Sequence, residues 1–216
     1  MSDTPVYRYS IKPEDLNIDL RTVDHYLGYG GYIPAPEDKQ RIEKAVEEVR
    51  KIVTPKACYG RYGIEIFEEK IKFPFGTVGS GVLSRHIKGC NEVYIFAATI
   101  GTGFDRLLHR TLARSVADTA ILQAAGAAAV EAVCDSLNKK LEEDALKEGR
   151  FLRMRFSPGY GDLPLDTQKG IFRLLDPAKN AGITLMDTLI MAPEKSVTAI
   201  IGIGDTKKTG GYETER

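Results

Sequence analysis

Residues 153–164, RMRFSPGYGDLP, set Arg153 and Arg155 just ahead of a Pro158-Gly159-Tyr160 turn and an acid, Asp162. A guanidinium fork beside a rigid turn is suited to gripping a carboxylate through two parallel hydrogen bonds. Pro158 fixes one backbone angle, Gly159 permits a left-handed or closely approached position, and Tyr160 offers an aromatic face with a hydroxyl. Side chains on a strand alternate with period two, so Arg153, Arg155 and Ser157 are expected on one side, with Arg155 next to the turn. The plainer reading is a surface arginine followed by a Pro-Gly that ends a strand, and the residues alone favour it.

A second candidate is Glu131, the only charge in TAILQAAGAAAVEAVC, residues 119–134. A carboxylate on an Ala/Gly-rich helix is costly to bury unless a cation or several donors meet it. Otherwise it lies on a narrow exposed edge, and composition leaves both options open. A third candidate is IGTGFDR, where Gly101 and Gly103 stand between a predicted strand and a helix, the context in which backbone N–H groups cradle phosphate. Arg106 replaces the third glycine of the dinucleotide fingerprint, so a plain strand-to-helix turn is the stronger reading. His25, His86 and His109 lack partners at metal-ligand spacing, and His86 with Cys90 is too little to hold a metal. No Gly-x-Ser-x-Gly nucleophile elbow or complete phosphate-binding loop occurs.

These residues must be positioned by ordinary elements. LRTVDHYLG (20–28) reads as a short helix stopped by Gly28, and PEDKQRIEKAVEEVRKIV as an amphipathic helix ending before Pro55. Tyr59 to Phe73 reads as a half-buried hairpin, a helical segment is expected near 77–88, and EVYIFAATIG (92–101) as a central strand covered on both faces. From Phe104 to Lys147 the helical pattern is long enough to require a break, for which Gly126 is one candidate. Strands at 150–157 and 196–203 flank a short helix, DTQKGIFRLLD. Long helices beside separated strands argue for an α+β fold.

Over the 216 residues, 30 basic and 30 acidic side chains cancel, so the cationic field of a general nucleic-acid binder is missing and no nucleic-acid partner is expected. Three widely spaced cysteines fit neither a disulfide framework nor a paired-thiolate metal site, and favour a reducing compartment. No signal peptide is recognisable and no uninterrupted apolar run approaches the roughly 20 residues needed to span a bilayer. A soluble, cytoplasmic protein without a membrane partner is expected. The segment 206–216 has little to bury and is expected to be a flexible tail after a single domain over 1–205.

RFSPGYGDLPLDTQKGIFRLLD followed by AGITLMDTLIMAPEKSVTAIIG resembles the C-terminal activation domain of cobalamin-dependent methionine synthase. The ordered motif is carried by Arg155, Pro158, Gly159, Tyr160, Leu174, Leu175, Gly182, Met191, Pro193, Ser196 and Val197. FAATIGTGFDRLLHRTLARSVADTAILQAAGAAAVEAV and DHYLGYGG are similar to the corresponding regions of short, free-standing members. The resemblance implies a twisted, largely antiparallel sheet with long helices. It also implies binding of S-adenosylmethionine, which is presented to cobalamin held by another domain. There one electron from a flavodoxin-like or ferredoxin-like donor and the ligand's methyl group return cob(II)alamin to methylcobalamin.

Carried over by position, Arg155 would grip the methionyl carboxylate and Glu131 would meet the ligand's positive end. Ser157 would contribute backbone contacts beside the adenosine, while Pro158, Gly159 and Tyr160 shape the face turned to ligand and corrinoid. No residue is expected to act as a catalytic group, because the contribution is mainly positioning. The chain departs from the family's large enzymes in two places. IGIGDTKKTGG stands where they carry a tyrosine-containing segment, and only Asp19 and Asp24 lie near the N-terminal acidic contact. The Asp-x-His-x-x-Gly motif that ligates cobalt does not occur. The expectation is therefore a stand-alone reactivation subunit for a separate cobalamin-binding methionine synthase or other corrinoid protein. The alternative is a non-catalytic interaction module for such a protein that has lost S-adenosylmethionine.

Overall fold

The apolar run at 92–101 supplies the middle strand of a five-stranded sheet. The computed structural model describes residues 4–30 and 32–207. Strand β1 (Tyr7–Ser10) precedes helices α1 (Leu20–Tyr26) and α2 (Pro36–Ile52). Strands β2 (Lys56–Gly63), β3 (Glu65–Phe67), β4 (Lys70–Phe73) and β5 (Gly76–Gly79) follow, then α3 (Gly81–His86) and β6 (Cys90–Thr99). Helices α4 (Thr102–Leu112) and α5 (Val116–Lys147) lead to the short β7 (Phe151–Leu152). After it come α6 (Thr167–Leu175), α7 (Pro177–Ala181), β8 (Thr184–Leu185), β9 (Met191–Ala192) and β10 (Ser196–Gly204).

The large sheet has the order β1-β2-β6-β10-β7 and every pairing in it is antiparallel. Alternation along β6 explains why its sequence is apolar from Val93 to Ala98. Tyr94, Phe96 and Ala98 join one core with α1, α2, α4 and α5, whereas Val93, Ile95 and Ala97 join a second core with α3, α6 and the β3–β4 hairpin. The fold is thus α+β, with a largely antiparallel sheet between two apolar layers.

Several expectations shift. Tyr59–Gly63 is not half of a hairpin but part of β2, which pairs with β6 along its whole length and with β1 through Lys56–Tyr59. Gly60 weakens the strand signal there, and the ring of Tyr62 lies over the space its side chain would fill. The hairpin is β3–β4, extended by β5, which takes Gly76–Gly79 from the expected helix. Helix α3 begins only after Ser80, whose hydroxyl accepts the Leu83 N–H.

The break in the long helical pattern lies at Ala113–Ser115, not at Gly126. Ser115 caps α5 by accepting the Asp118 N–H at 3.2 Å. Gly126 sits inside α5 because a side chain there would enter the buried ring of Phe104. By length and composition α5 could cross a bilayer, but 67% of its most apolar window is buried within the fold. It serves as the core helix, with Ala125, Ala128 and Ala129 letting neighbours approach closely. Of the expected flexible tail, the Thr206 carbonyl accepts from Arg153, and residues 208–216 lie outside the described residues.

Candidate functional site

A one-residue irregularity decides where the two arginines go. Leu152 stands opposite Ile203 and Phe156 opposite Ile200, so residues 153–155 span the same length as 201–202. An extra residue in one strand flips the faces that follow it. Arg153 and Arg155 therefore point to opposite sides of the sheet, contrary to the period-two expectation. The stem of Arg153 crosses Gly202 beside Ile87 and Cys90, and its Nη1 donates to the Thr206 carbonyl at 2.8 Å. Arg153 is buried and structural.

Arg155 turns the other way, toward α5. Its Nη2 donates to Glu131 Oε2 at 2.8 Å and its Nη1 to Asp135 Oδ1 at 2.6 Å. The side chains of Arg155 and Glu131 are 24% and 35% exposed, so this pair is partly desolvated, while Asp135 at 69% is largely in solvent. Burial alone would weaken the Arg155 charge, but the Asp135 hydrogen bond and neighbouring negative groups hold its pKa above the ordinary arginine value. The isolated acid of the Ala-rich helix thus has its cation, and the structure brings together the two residues singled out from sequence.

Asp135 is not conspicuous in sequence because it lies just beyond the uncharged run that isolates Glu131. Its spacing of four from Glu131 places both acids on one helix face, which is the signal that identifies it. Tyr26, at the end of α1, carries no such signal in the sequence. It is half-exposed, and its hydroxyl pKa is raised by burial and by the charge of Glu131. The hydroxyl of Tyr26 therefore feels the charges of Glu131 and Arg155.

Beyond Arg155 the chain leaves the sheet. Phe156 exchanges backbone hydrogen bonds of 2.9 Å in both directions with Ile200. Ladder alternation turns the backbone of Thr198 to the same side, where no strand lies opposite it among the described residues. The turn follows: Ser157 accepts from the Tyr160 N–H at 3.1 Å, and the Gly159 N–H donates to Leu163 at 2.9 Å. Gly159 takes φ +88°, which favours glycine. Pro158 is buried, and Tyr160 is 55% exposed with its ring edge-on to Phe156 at 5.3 Å.

Asp162 anchors this turn from a distance in sequence. Its carboxylate accepts from the Ser80 hydroxyl and from the N–H groups of Gly81 (2.8 Å) and Val82 (3.2 Å) at the start of α3. On the other side of the turn, His86 Nε2–H donates to the Met154 carbonyl at 2.8 Å. Asp162 thus tethers the turn to the start of α3.

The remaining candidates have other surroundings. Asp19 caps α1 by accepting from the Arg21 N–H at 3.0 Å. Asp24 lines a cavity of about 540 Å³ between α1 and α2 with Leu20, His25 and Lys39, and neither Glu131 nor Arg155 belongs to its walls. At Gly101 and Gly103 a side chain would strike Thr54 and the Ile52 carbonyl respectively. Those glycines admit the end of α2, so packing accounts for them without phosphate.

An arginine paired with an acid, beside a rigid turn carrying an exposed aromatic ring, suits a ligand with an amino-acid end and a flat ring system. No curated protein matches the chain. The crystal structure of the MetH reactivation domain bound to AdoHcy shares the fold with a TM-score of 0.68 at 17% identity, covering 94% of this chain and 80% of that one. A family model described as vitamin B12 dependent methionine synthase, activation domain, matches residues 86–209, a span that holds Glu131, Arg155 and the turn after it. With most of its length under that model and its sheet and helices arranged as in a reactivation domain, the chain belongs to the vitamin B12-dependent methionine synthase activation-domain family.

Proposed function

We propose that this protein binds S-adenosylmethionine along Glu131, Arg155 and residues 157–160, and supports reductive methylation of cobalamin carried on a separate methionine synthase or other corrinoid protein. The observation that carries the reading is the Glu131–Arg155 pair beside the turn, set in a chain of the activation-domain family. The AdoHcy in the structurally similar reactivation domain supports the same ligand class here.

In this reading Arg155 takes the ligand's carboxylate, its N–H groups being numerous enough to keep one acid while meeting another. Glu131 faces the positive end, Ser157 offers backbone groups, and Pro158, Gly159 and Tyr160 form the face toward ligand and corrinoid. Bound S-adenosylmethionine supplies a methyl group on a positively charged sulfur, and cobalamin supplies the cobalt that accepts it. The chain's own contribution is to fix the ligand's orientation and to hold the tether through Asp162 so that the turn does not move. The electron comes from a flavodoxin-like or ferredoxin-like donor.

The test is methylation of a corrinoid protein's cob(II)alamin in the presence of a one-electron reductant and S-adenosylmethionine. Wild-type protein is expected to support it, and folded Arg155→Ala to lose it. Failure of wild-type protein with a partner that it demonstrably binds would overturn the proposal. One observation favours a second reading, a docking module without methyl donor: both terminal nitrogens of Arg155 already have acidic partners. Under that reading a corrinoid partner is retained equally by wild type, Glu131→Ala and Arg155→Ala, and no S-adenosylmethionine binds.

A further inference from the structure

We infer that Asp135 makes this site selective for a positively charged methyl donor over its neutral demethylated product. The inference rests on the ligand reading above and adds a residue to it. Arg155 bridges two acids, Glu131 at 2.8 Å and Asp135 at 2.6 Å. An arginine that only gripped a carboxylate would need neither acid so close, and one acid would neutralise it. The second leaves the cluster with an excess negative charge.

That excess has a consequence for ligand choice. S-adenosylmethionine and S-adenosylhomocysteine share the carboxylate, the ammonium group and the adenosine, and differ in the methyl group that makes the sulfur cationic. Interactions with the shared groups largely cancel when the two affinities are compared. What remains is the interaction of the sulfonium with the surrounding field, which an extra carboxylate makes more favourable. Asp135 need not touch the ligand: at 69% exposure it acts over a short distance through partly screened electrostatics. Tyr26 and Cys134, which couple electrostatically to Arg155 and Glu131, carry no charge at neutral pH, so Glu131, Asp135 and Arg155 together carry one net negative charge. A product that leaves more readily than the donor binds is the useful outcome for a module that must reload.

Calorimetric titration of both ligands into wild type, Asp135→Asn and Asp135→Glu tests this. Wild type is expected to prefer S-adenosylmethionine. Asp135→Asn should reduce that preference by about three- to tenfold, the scale of one charge at a partly exposed site. Asp135→Glu should retain most of it. Asp135→Asn also frees one arm of the Arg155 fork, so the affinity for S-adenosylhomocysteine is expected to rise. In the wild-type protein the preference should shrink as salt is raised, a readout that needs no variant to fold. A preference unchanged in Asp135→Asn, or insensitive to salt, overturns the role of Asp135 while leaving the site intact. Failure of folded wild-type protein to bind either ligand overturns the site and this inference together.

Discussion

Replacing Asp162 with Asn separates the tether of the turn from the groups proposed to meet ligand. The carboxylate accepts from Ser80 Oγ, Gly81 N and Val82 N, and so performs for α3 the work of a cap supplied from a distant part of the chain. Loss of a cap typically costs about 1 kcal/mol, and hydrogen bonds to an ionised group contribute about 1.5–3 kcal/mol when sheltered. Asp162 is exposed, so about 1–2 kcal/mol is expected. For a chain of this size that lowers Tm by about 2–8 °C.

The pH dependence identifies the cause. The Ser80 hydroxyl, followed by the Val82 and Gly81 N–H groups, holds the Asp162 carboxyl below the usual aspartate value. A depressed folded-state pKa contributes stability that is full above the unfolded value, about 3.9, and is lost as pH falls through the folded one. Urea unfolding of both proteins from pH 7 downward should therefore show a gap that narrows in the acid range, where protonated Asp resembles Asn. Equal stability at pH 7, or a gap that stays constant into the acid range, would refute the tether.

Two further outcomes follow from packing. Gly126→Ala would stabilise an ordinary helix interior by about 1 kcal/mol. Here the added methyl enters the ring of buried Phe104, so a net loss of about 1–3 kcal/mol is expected in chemical denaturation, and stabilisation would refute the close approach. Burial pushes the thiols of Cys58 and Cys134 up to about 12. Both should resist alkylation at pH 8 until the protein unfolds, as peptide mass mapping would show; rapid labelling of either in native protein contradicts their burial.

Much of this fold can be read from local pattern because the deciding signals are local. Pro36 with its acidic first turn, the stripe Ile42–Val46–Val49 and the stop before Pro55 specify α2. The unbroken run in β6 announces cover on both faces, and the cores on each side of it provide that cover. The site was partly legible for the same reason, since a lone acid on an Ala-rich helix and an arginine before Pro-Gly-Tyr each imply a partner. What remained hidden depends on contacts distant in sequence. Neither the register slip between 152 and 156 nor the reach of Asp162 to α3 leaves a periodic trace. Gly126 is ambiguous in sequence because a glycine in a helix can mark either a break or a close approach, and only the position of Phe104 distinguishes them. Asp135 was legible in principle from its spacing with Glu131.

Arg155 and Glu131 are proposed to hold the amino-acid end of S-adenosylmethionine. Calorimetric titration of S-adenosylmethionine into wild type and into folded Arg155→Ala decides this role. Saturable binding is expected, weakened by the substitution by about 10- to 100-fold, the equivalent of about 1.5–3 kcal/mol for hydrogen bonds to a charged group. No binding to folded wild-type protein at millimolar ligand, or the same affinity in Arg155→Ala, would contradict it.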